Sequence, residues 1–336
     1  MYRDYILVLY DQEGTKAIVD EITSNVEFKR YHIQHLDLRN THDWQKSFKE
    51  VLKSKDNNPK LIISGTSLNH KQWYNIWETA FENKIKIIAI VDSWQNLQER
   101  FITCSKERSN WPTIVCVIDK KIESTIKLIK GMESQVIFIG HPILSRLYEQ
   151  RYRKTKMTHN NLLYVSEPIV CQREKYDATK LTRLQRSSFS NLCEYASIQG
   201  KDISIRLHPR ETNDHFVQYK LISDNRCKVK LEMSMTKQDL LDINWVAFGL
   251  TSMLLIELHL SGSNCISLLE EKANCEQSFF KYHTDIIPRI DSKEKLLRLK
   301  VDEPINTSSI QKDPNTFIER NGHKMVLNII DQYYSI

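Results

Sequence analysis

The sequence predicts an α/β protein built from two Rossmann-like halves. Three observations carry that expectation. Short apolar runs alternate with amphipathic stretches, the βα repeat of a mostly parallel sheet. The repeat is interrupted by a basic, polar connector over residues 148–161 and then restarts. At 336 residues, the chain has room for two domains of ordinary size.

In the first half, strands are predicted at 5–10, 60–63, 85–91, 113–118 and 135–139, where the apolar residues run together or alternate. Helices are predicted between them at 15–24, 43–54, 70–83, 93–101 and 123–132, and a further helix at 143–150. In the second half, strands are predicted at 162–165, 203–207, 229–231, 245–248 and 264–268, with helices at 178–199 and 251–261. The tail, 315–334, reads as helical. The expected organisation is a first domain over 1–155, a second over 156–314, and a C-terminal helix over 315–336 crossing back to the first. The two halves are expected to face a central cleft.

Composition narrows the functional classes. Charged residues make up 27% and hydrophobic residues 40% of the chain, ordinary for a globular protein. No apolar run reaches the length of a spanning helix. The first ten residues read as a strand and lack the basic start and small-residue cleavage site of a signal peptide. The seven cysteines are scattered, odd in number and without C-x-x-C spacing, as in a reducing, cytoplasmic setting. A net charge of +6 suits an anionic partner, either a nucleotide sugar or the anionic inner membrane at its periphery. No basic run interleaved with aromatics is present, so nucleic acid is not an expected partner. Dinucleotide and P-loop glycine motifs are absent, as are zinc spacings, an Asp-x-Asp pair and a Gly-x-Ser-x-Gly elbow. No cofactor and no metal are therefore expected.

The candidate site follows from where the strands end. Ile203, Ile205 and Leu207 alternate with Ser204, Arg206 and His208, and Pro209 stops the run, leaving His208 at the strand tip. Ligands of open α/β sheets bind beyond the carboxyl ends of the strands. Farther on, an apolar run ends in Gly249, then Thr251 and Ser252 open a helix. That glycine turn with hydroxyls at a helix start has the geometry of a phosphate cradle. Ser166 follows the first strand of the second half and is a further phosphate candidate. In the first half Asp92 ends a strand, where a carboxylate can serve as a general base; helix capping is its structural alternative. Trp94, Arg100 and His141 (in Gly140-His141-Pro142) are candidates for the acceptor side. Each also has a plain structural reading, as core, surface or turn.

These pieces, in this order, resemble bacterial glycosyltransferases of the GT-B type, with two Rossmann-like domains. The resemblance is to metal-independent sialyltransferase-like and polysialyltransferase-like families that use a CMP-activated nonulosonic or Kdo-type sugar. The matching segments are Val136-Ile-Phe-Ile-Gly-His-Pro142, Tyr164-Val-Ser-Glu-Pro168, Arg206-Leu-His-Pro209 and Phe248-Gly-Leu-Thr-Ser252. The resemblance implies that His208, Thr251 and Ser252 hold the CMP phosphate and that a first-domain carboxylate, matched to Asp92, is the base. The acidic motif that carries the base in those families is absent here. The expected reaction is inverting transfer of an acidic sugar from a CMP-sugar to a surface polysaccharide or lipooligosaccharide. The alternatives are a UDP-sugar transferase or 2-epimerase of the same fold, a CDP-alditol phosphotransferase, or a non-catalytic nucleotide-sugar-binding subunit of a polysaccharide assembly complex.

Overall fold

A computed structural model describes residues 5–39, 43–53, 58–67, 70–94, 97, 99–101, 111–151, 157–167, 178–269, 286–300 and 317–334. They form two compact units, one of Met1–Arg146 with Pro314–Ile336, the other of Leu147–Asp313. Both are α/β with wholly parallel sheets.

The first unit runs β1 (Tyr5–Tyr10), α1 (Glu13–Thr23), a 3-10 turn (Val26–Arg30), β2 (His32–Asp37), α2 (Trp44–Lys53), β3 (Pro59–Ser64), α3 (His70–Glu82), β4 (Lys86–Val91), β5 (Ile114–Val117), α4 (Lys120–Lys127) and β6 (Gln135–Phe138). The helix α5 (Pro142–Gln150) spans the boundary, with proline at its first position, where no intrahelical donor is missed. The sheet order is β2-β1-β3-β4-β5-β6. Every residue of β1 is buried, as a strand covered on both faces requires. The edge strand β2 escaped prediction because only Ile33 and Leu36 in it are apolar, and none of its residues is fully buried.

The second unit runs β7 (Met157–Val165), α6 (Ala178–Ile198), β8 (Ile203–Arg206), α7 (Asn213–Ser223), β9 (Val229–Leu231), α8 (Lys237–Leu241), β10 (Ile243–Gly249), α9 (Met253–Leu260), β11 (Asn264–Ser267) and α10 (Lys293–Leu297), with sheet order β11-β10-β7-β8-β9. Its core is aromatic: Phe189 lies 4.9 Å from Tyr164 and 4.7 Å from Tyr219 between ring centroids. Such pairs add about 0.5–1.5 kcal/mol each beyond the area they bury. Leu255, Ile256, Leu258 and Leu260 of α9 are all buried, so the helix is apolar nearly all round and lies inside its unit.

The last helix, α11 (Gly322–Tyr334), belongs to the first unit and packs on α1 and β3. Arg30 Nη2 donates to Asp331 Oδ1 at 2.6 Å, and the Tyr31 hydroxyl donates to the same carboxylate. The backbone N–H of His141 donates to the Phe317 carbonyl at 2.8 Å.

Three expectations need correction. The helix expected at 93–101 is not seen in its described residues, which make bends and turns: Trp94, Leu97, Arg100 and Phe101 turn inward to internal partners, and 95, 96 and 98 lie outside the described residues. The tail helix begins at Gly322, not 315; Phe317–Asn321 are non-helical, and 315–316 lie outside the described residues. The connector is shorter than expected, since β7 already begins at Met157, with Met157 and Thr158 paired to β10.

A Cβ on Gly322 would stand 2.0 Å from the Ile139 carbonyl oxygen, a backbone atom that cannot step aside. Gly322→Ala should therefore cost roughly 1–3 kcal/mol of stability, the usual penalty for overpacking, measurable by urea titration as a lower midpoint with an unchanged slope.

Candidate functional site

Each sheet has one place where the strand order reverses. In the first unit β1 is followed by β2 on one side, and β3 then adds on the other. In the second unit β8 and β9 lie on one side of β7, and β10 and β11 on the other. The crevice outside the strand carboxyl ends at such a switch point is the general ligand site of open α/β sheets. The switch points here carry Asp11 and Gly65-Thr66-Ser67 in the first unit, and Ser166-Glu167 and Gly249-Leu250-Thr251-Ser252 in the second.

At the second unit's switch point Ser252 caps α9, its hydroxyl accepting from Leu254 N at 3.3 Å. The start of that helix is taken by a carboxylate of the chain itself. Thr251 N–H donates to Glu167 Oε1, and Thr251 Oγ1 donates to Glu167 Oε2 at 2.7 Å. Glu167 thus lies where a phosphate would bind the helix dipole. Burial raises its pKa, against the lowering effect of the Thr251 hydrogen bonds. The sequence reading passed over Glu167, although it stands next to Ser166 on the same strand end.

Gly249 is not the glycine of a turn. It remains in β10, paired with Val165 and Ser267, and a Cβ there would come 2.9 Å from the Val165 carbonyl. The glycine is needed so that β7 and β10 can approach closely at their ends. Ser166 is also not an open phosphate donor. It is 1% exposed, and its hydroxyl lies 2.8 Å from Glu211 Oε1 and 2.6 Å from the Tyr219 hydroxyl. Gln185 Nε2 donates to the Tyr219 oxygen at 2.6 Å, closing a buried polar network.

His208 is half-buried, one residue past Leu207 at the end of the β8 run, and Pro209 is exposed at the following turn. Glu211 Oε2 accepts the His208 backbone N–H at 2.7 Å, so one carboxylate anchors both Ser166 and the His208 loop. The Arg210 N–H donates to His208 Nδ1 at 3.1 Å, which leaves Nε2 to carry the ring proton. Burial lowers the histidine pKa, and the charge of Arg210 lowers it further. Both effects favour the neutral ring, with its proton on Nε2.

In the first unit, Asp92 is enclosed. Its Oδ1 accepts from Arg100 Nη1 at 2.9 Å and its Oδ2 from Thr15 Oγ1 at 2.8 Å, with its side chain only 3% exposed. Arg100 is anchored in turn on the Thr66 carbonyl at 3.0 Å. With both oxygens held, this carboxylate joins the end of β4 to the start of α1.

Trp94 and His141 stack at 5.9 Å, and the Phe317 ring stands edge-on to Trp94. Trp94 Nε1 donates to Asp119 Oδ2 at 2.9 Å. Trp94, Arg100 and His141 are all buried, so an open acceptor-side surface made of them is corrected to an internal packing and polar cluster.

No family model matches the chain, and the search of curated proteins returns no match. Solved structures do match. UDP-GlcNAc 2-epimerase from Methanocaldococcus jannaschii superposes with a TM-score of 0.64 at 13% identity, covering 98% of this chain and 99% of that one. UDP-GlcNAc 2-epimerase from Neisseria meningitidis, bound to UDP-GlcNAc, gives 0.59 at 11% identity over 98% and 100%. Phytolacca americana UGT2, complexed with UDP-2-fluoro-glucose and pterostilbene, gives 0.56 at 9% identity over 98% and 100%. At these identities the likeness shows the fold, which is GT-B with two Rossmann-like α/β units.

Breaking a buried ion pair leaves an uncompensated charge and costs about 3–5 kcal/mol. Arg100→Leu should lose stability on that scale, read by chemical denaturation, whereas a change at exposed Arg210 should stay within about 0.5 kcal/mol.

Proposed function

We propose that the chain is a nucleotide-sugar enzyme, with the nucleotide held at the carboxyl edge of the second unit's sheet and glycosyl transfer as the reaction. The observation that carries this reading is the switch point of that sheet. There His208, neutral with its proton on Nε2, has a donor, and the α9 start at Thr251 and Ser252 would offer its donors to an anion that displaces Glu167. His208 and Ser252 would hold the departing phosphate and stabilise the charge that builds on it. Such donors supply the electrostatic help that a metal gives in other transferases.

The nucleotide we infer is uridine diphosphate. Support comes from structures solved with UDP or UDP-sugars on the same fold, over nearly the whole chain. The comparisons lend no support to the cytidine donor expected from the sequence. A second reading, epimerisation at C2 of a UDP-sugar, is favoured by the several 2-epimerases among the similar structures. Incubating the protein with UDP-GlcNAc and following the sugar by NMR separates the two. Transfer or hydrolysis releases UDP, whereas epimerisation leaves UDP attached and changes the coupling at C2. The acceptor would be a glycan; among the described residues no helix is long and apolar enough to cross a membrane.

Native-state binding raises the melting temperature by mass action, about 2.7 kcal/mol at a ligand concentration 100 times the dissociation constant. UDP should raise it more than CMP, CDP or GDP at equal concentration, and stabilisation by CMP or CDP alone would return the donor to cytidine. His208→Ala should lower turnover by roughly 10²-fold or more while leaving a cooperative melt.

Glu167 supplies a further test. A bound phosphate must displace its carboxylate or wait for it to take up a proton. Two unit charges about 4 Å apart repel by about 4 kcal/mol at an effective dielectric near 20. Glu167→Gln should therefore bind UDP at least roughly tenfold more tightly than the native protein at about pH 8. Because burial raises the Glu167 pKa, the native carboxyl neutralises more readily as the pH falls, and the two affinities should converge as the pH is lowered. Calorimetric titration across that range checks both the sign and the convergence.

A further inference from the structure

Two cysteines of the second unit come together from distant parts of the chain. Cys193 lies on α6 and is fully buried, while Cys227 lies in the bend between α7 and β9 and is half-buried. Both are free thiols. They pack in one apolar cluster with Phe189, Leu192 and Ile203, and their side chains hydrogen-bond to each other.

The surrounding chain holds this contact in place. Two residues with left-handed backbone, Asp224 (φ 48°) and Asn225 (φ 55°), end α7 and turn the chain. Arg226 follows, and its guanidinium donates to the Ser190 carbonyl at 3.1 Å and to Ser190 Oγ at 3.0 Å. Ser190 stands three residues before Cys193, on the same face of α6. On the other side of Cys227, the Lys228 carbonyl accepts from Ile203 N at 2.9 Å at the entry to β9. Cys227 is thus clamped through both its neighbours beside the Cys193 sulfur.

The two thiols are unequal. The hydrogen bond from Cys193 lowers the Cys227 pKa; burial opposes it, Arg226 adds to it, and Asp202 opposes it. Asp202 is itself paired with Lys230 at 3.7 Å. The same hydrogen bond, together with burial, pushes the Cys193 thiol up. The thiolate is the nucleophile, so the more exposed member of the pair is also the more reactive.

We propose that Cys193 and Cys227 form a peroxide-sensitive redox site that closes reversibly into a disulfide tying α6 to the approach of β9. In the first step the Cys227 thiolate sulfur attacks one oxygen of hydrogen peroxide. The O–O bond breaks, and its electron pair leaves on hydroxide, which takes up the proton that Cys227 had released and becomes water. The Cys193 sulfur then attacks the sulfur of the resulting Cys227 sulfenic acid. The S–S bond forms, the S–O bond breaks, and the departing hydroxide leaves as water with the Cys193 proton. Two thiols lose two electrons, and the peroxide oxygens gain them. A small dithiol reverses the bond by exchange through a mixed disulfide. The bond encloses β8, the His208 turn and α7 in one covalent loop within the second unit.

The test treats the full chain with hydrogen peroxide, blocks the remaining thiols with N-ethylmaleimide, and maps the seven cysteines by peptide mass spectrometry. The native protein should yield a linked Cys193–Cys227 peptide, and dithiothreitol should remove it. Cys193→Ala should give no such link and should carry Cys227 as a sulfenic acid, trapped by dimedone. Cys227→Ser should leave Cys193 a thiol. Without peroxide, maleimide at about pH 7 should modify Cys227 at least roughly tenfold faster than the buried Cys116, Cys193 and Cys265. Because the thiols already touch, the oxidised protein should melt higher than the reduced one, as a cross-link restricts the unfolded chain. The linked peptide is read on the native chain, so it does not depend on either variant folding. Native Cys227 that resists peroxide, or that oxidises to sulfinic acid without joining Cys193, overturns the proposal. A link that forms only in urea, or an oxidised protein that melts lower, overturns it as well, because the bond would then not belong to the native fold.

Discussion

A parallel sheet sends all its strand carboxyl ends to one edge, and every strand pairing among the described residues is parallel. Polar side chains can therefore gather in few places. Central strands such as β1 are buried on both faces and apolar, so polar side chains gather past their tips or on edge strands such as β2. Asp11, Ser67 and Asp92 sit there in one unit, and Ser166, Glu167, His208 and Thr251 in the other.

Three carboxylates at these tips meet three different fates, decided by their neighbours. Asp92 is matched by Arg100 and Thr15 and works as a structural tie. Glu167 is matched by backbone and hydroxyl donors at the start of α9. Asp11 is only half matched, with one oxygen held and one left over. Carboxylates at strand tips of the same kind of fold are thus matched fully or by half according to the number of donors around them.

Much of the fold was legible because periodicity reports burial. β1 and β9 fall at their predicted bounds, and most other strands within a residue or two, since an apolar run between turn residues has few other places to go. β2 was missed because an edge strand with two apolar residues carries no such signal. The false helix at 93–101 has a local pattern that suits a helix, but long-range partners claim it: Asp119 takes Trp94, and Asp92 with Thr66 takes Arg100. For the site, position along a strand was readable and occupancy was not. His208 and Ser252 stand where the strand ends implied. That Glu167 fills the α9 start, that Glu211 braces Ser166, and that Asp92 is enclosed depend on residues 84, 45 and 8 positions away in the chain. Such pairings leave no trace in local spacing.

The return of α11 to the first unit gives the chain an order of assembly. Residues 147–313 form the second unit, complete in one continuous stretch, while the first unit is written in two pieces around it. On a ribosome, β1–β6 emerge early but must wait for the whole second unit before α11 arrives to cover α1 and β3, to receive Arg30 and Tyr31 on Asp331, and to bring Phe317 to His141. The second unit can close as soon as it is made. The half that begins first is therefore the half that finishes last, and until then its apolar face is open to whatever else is nearby.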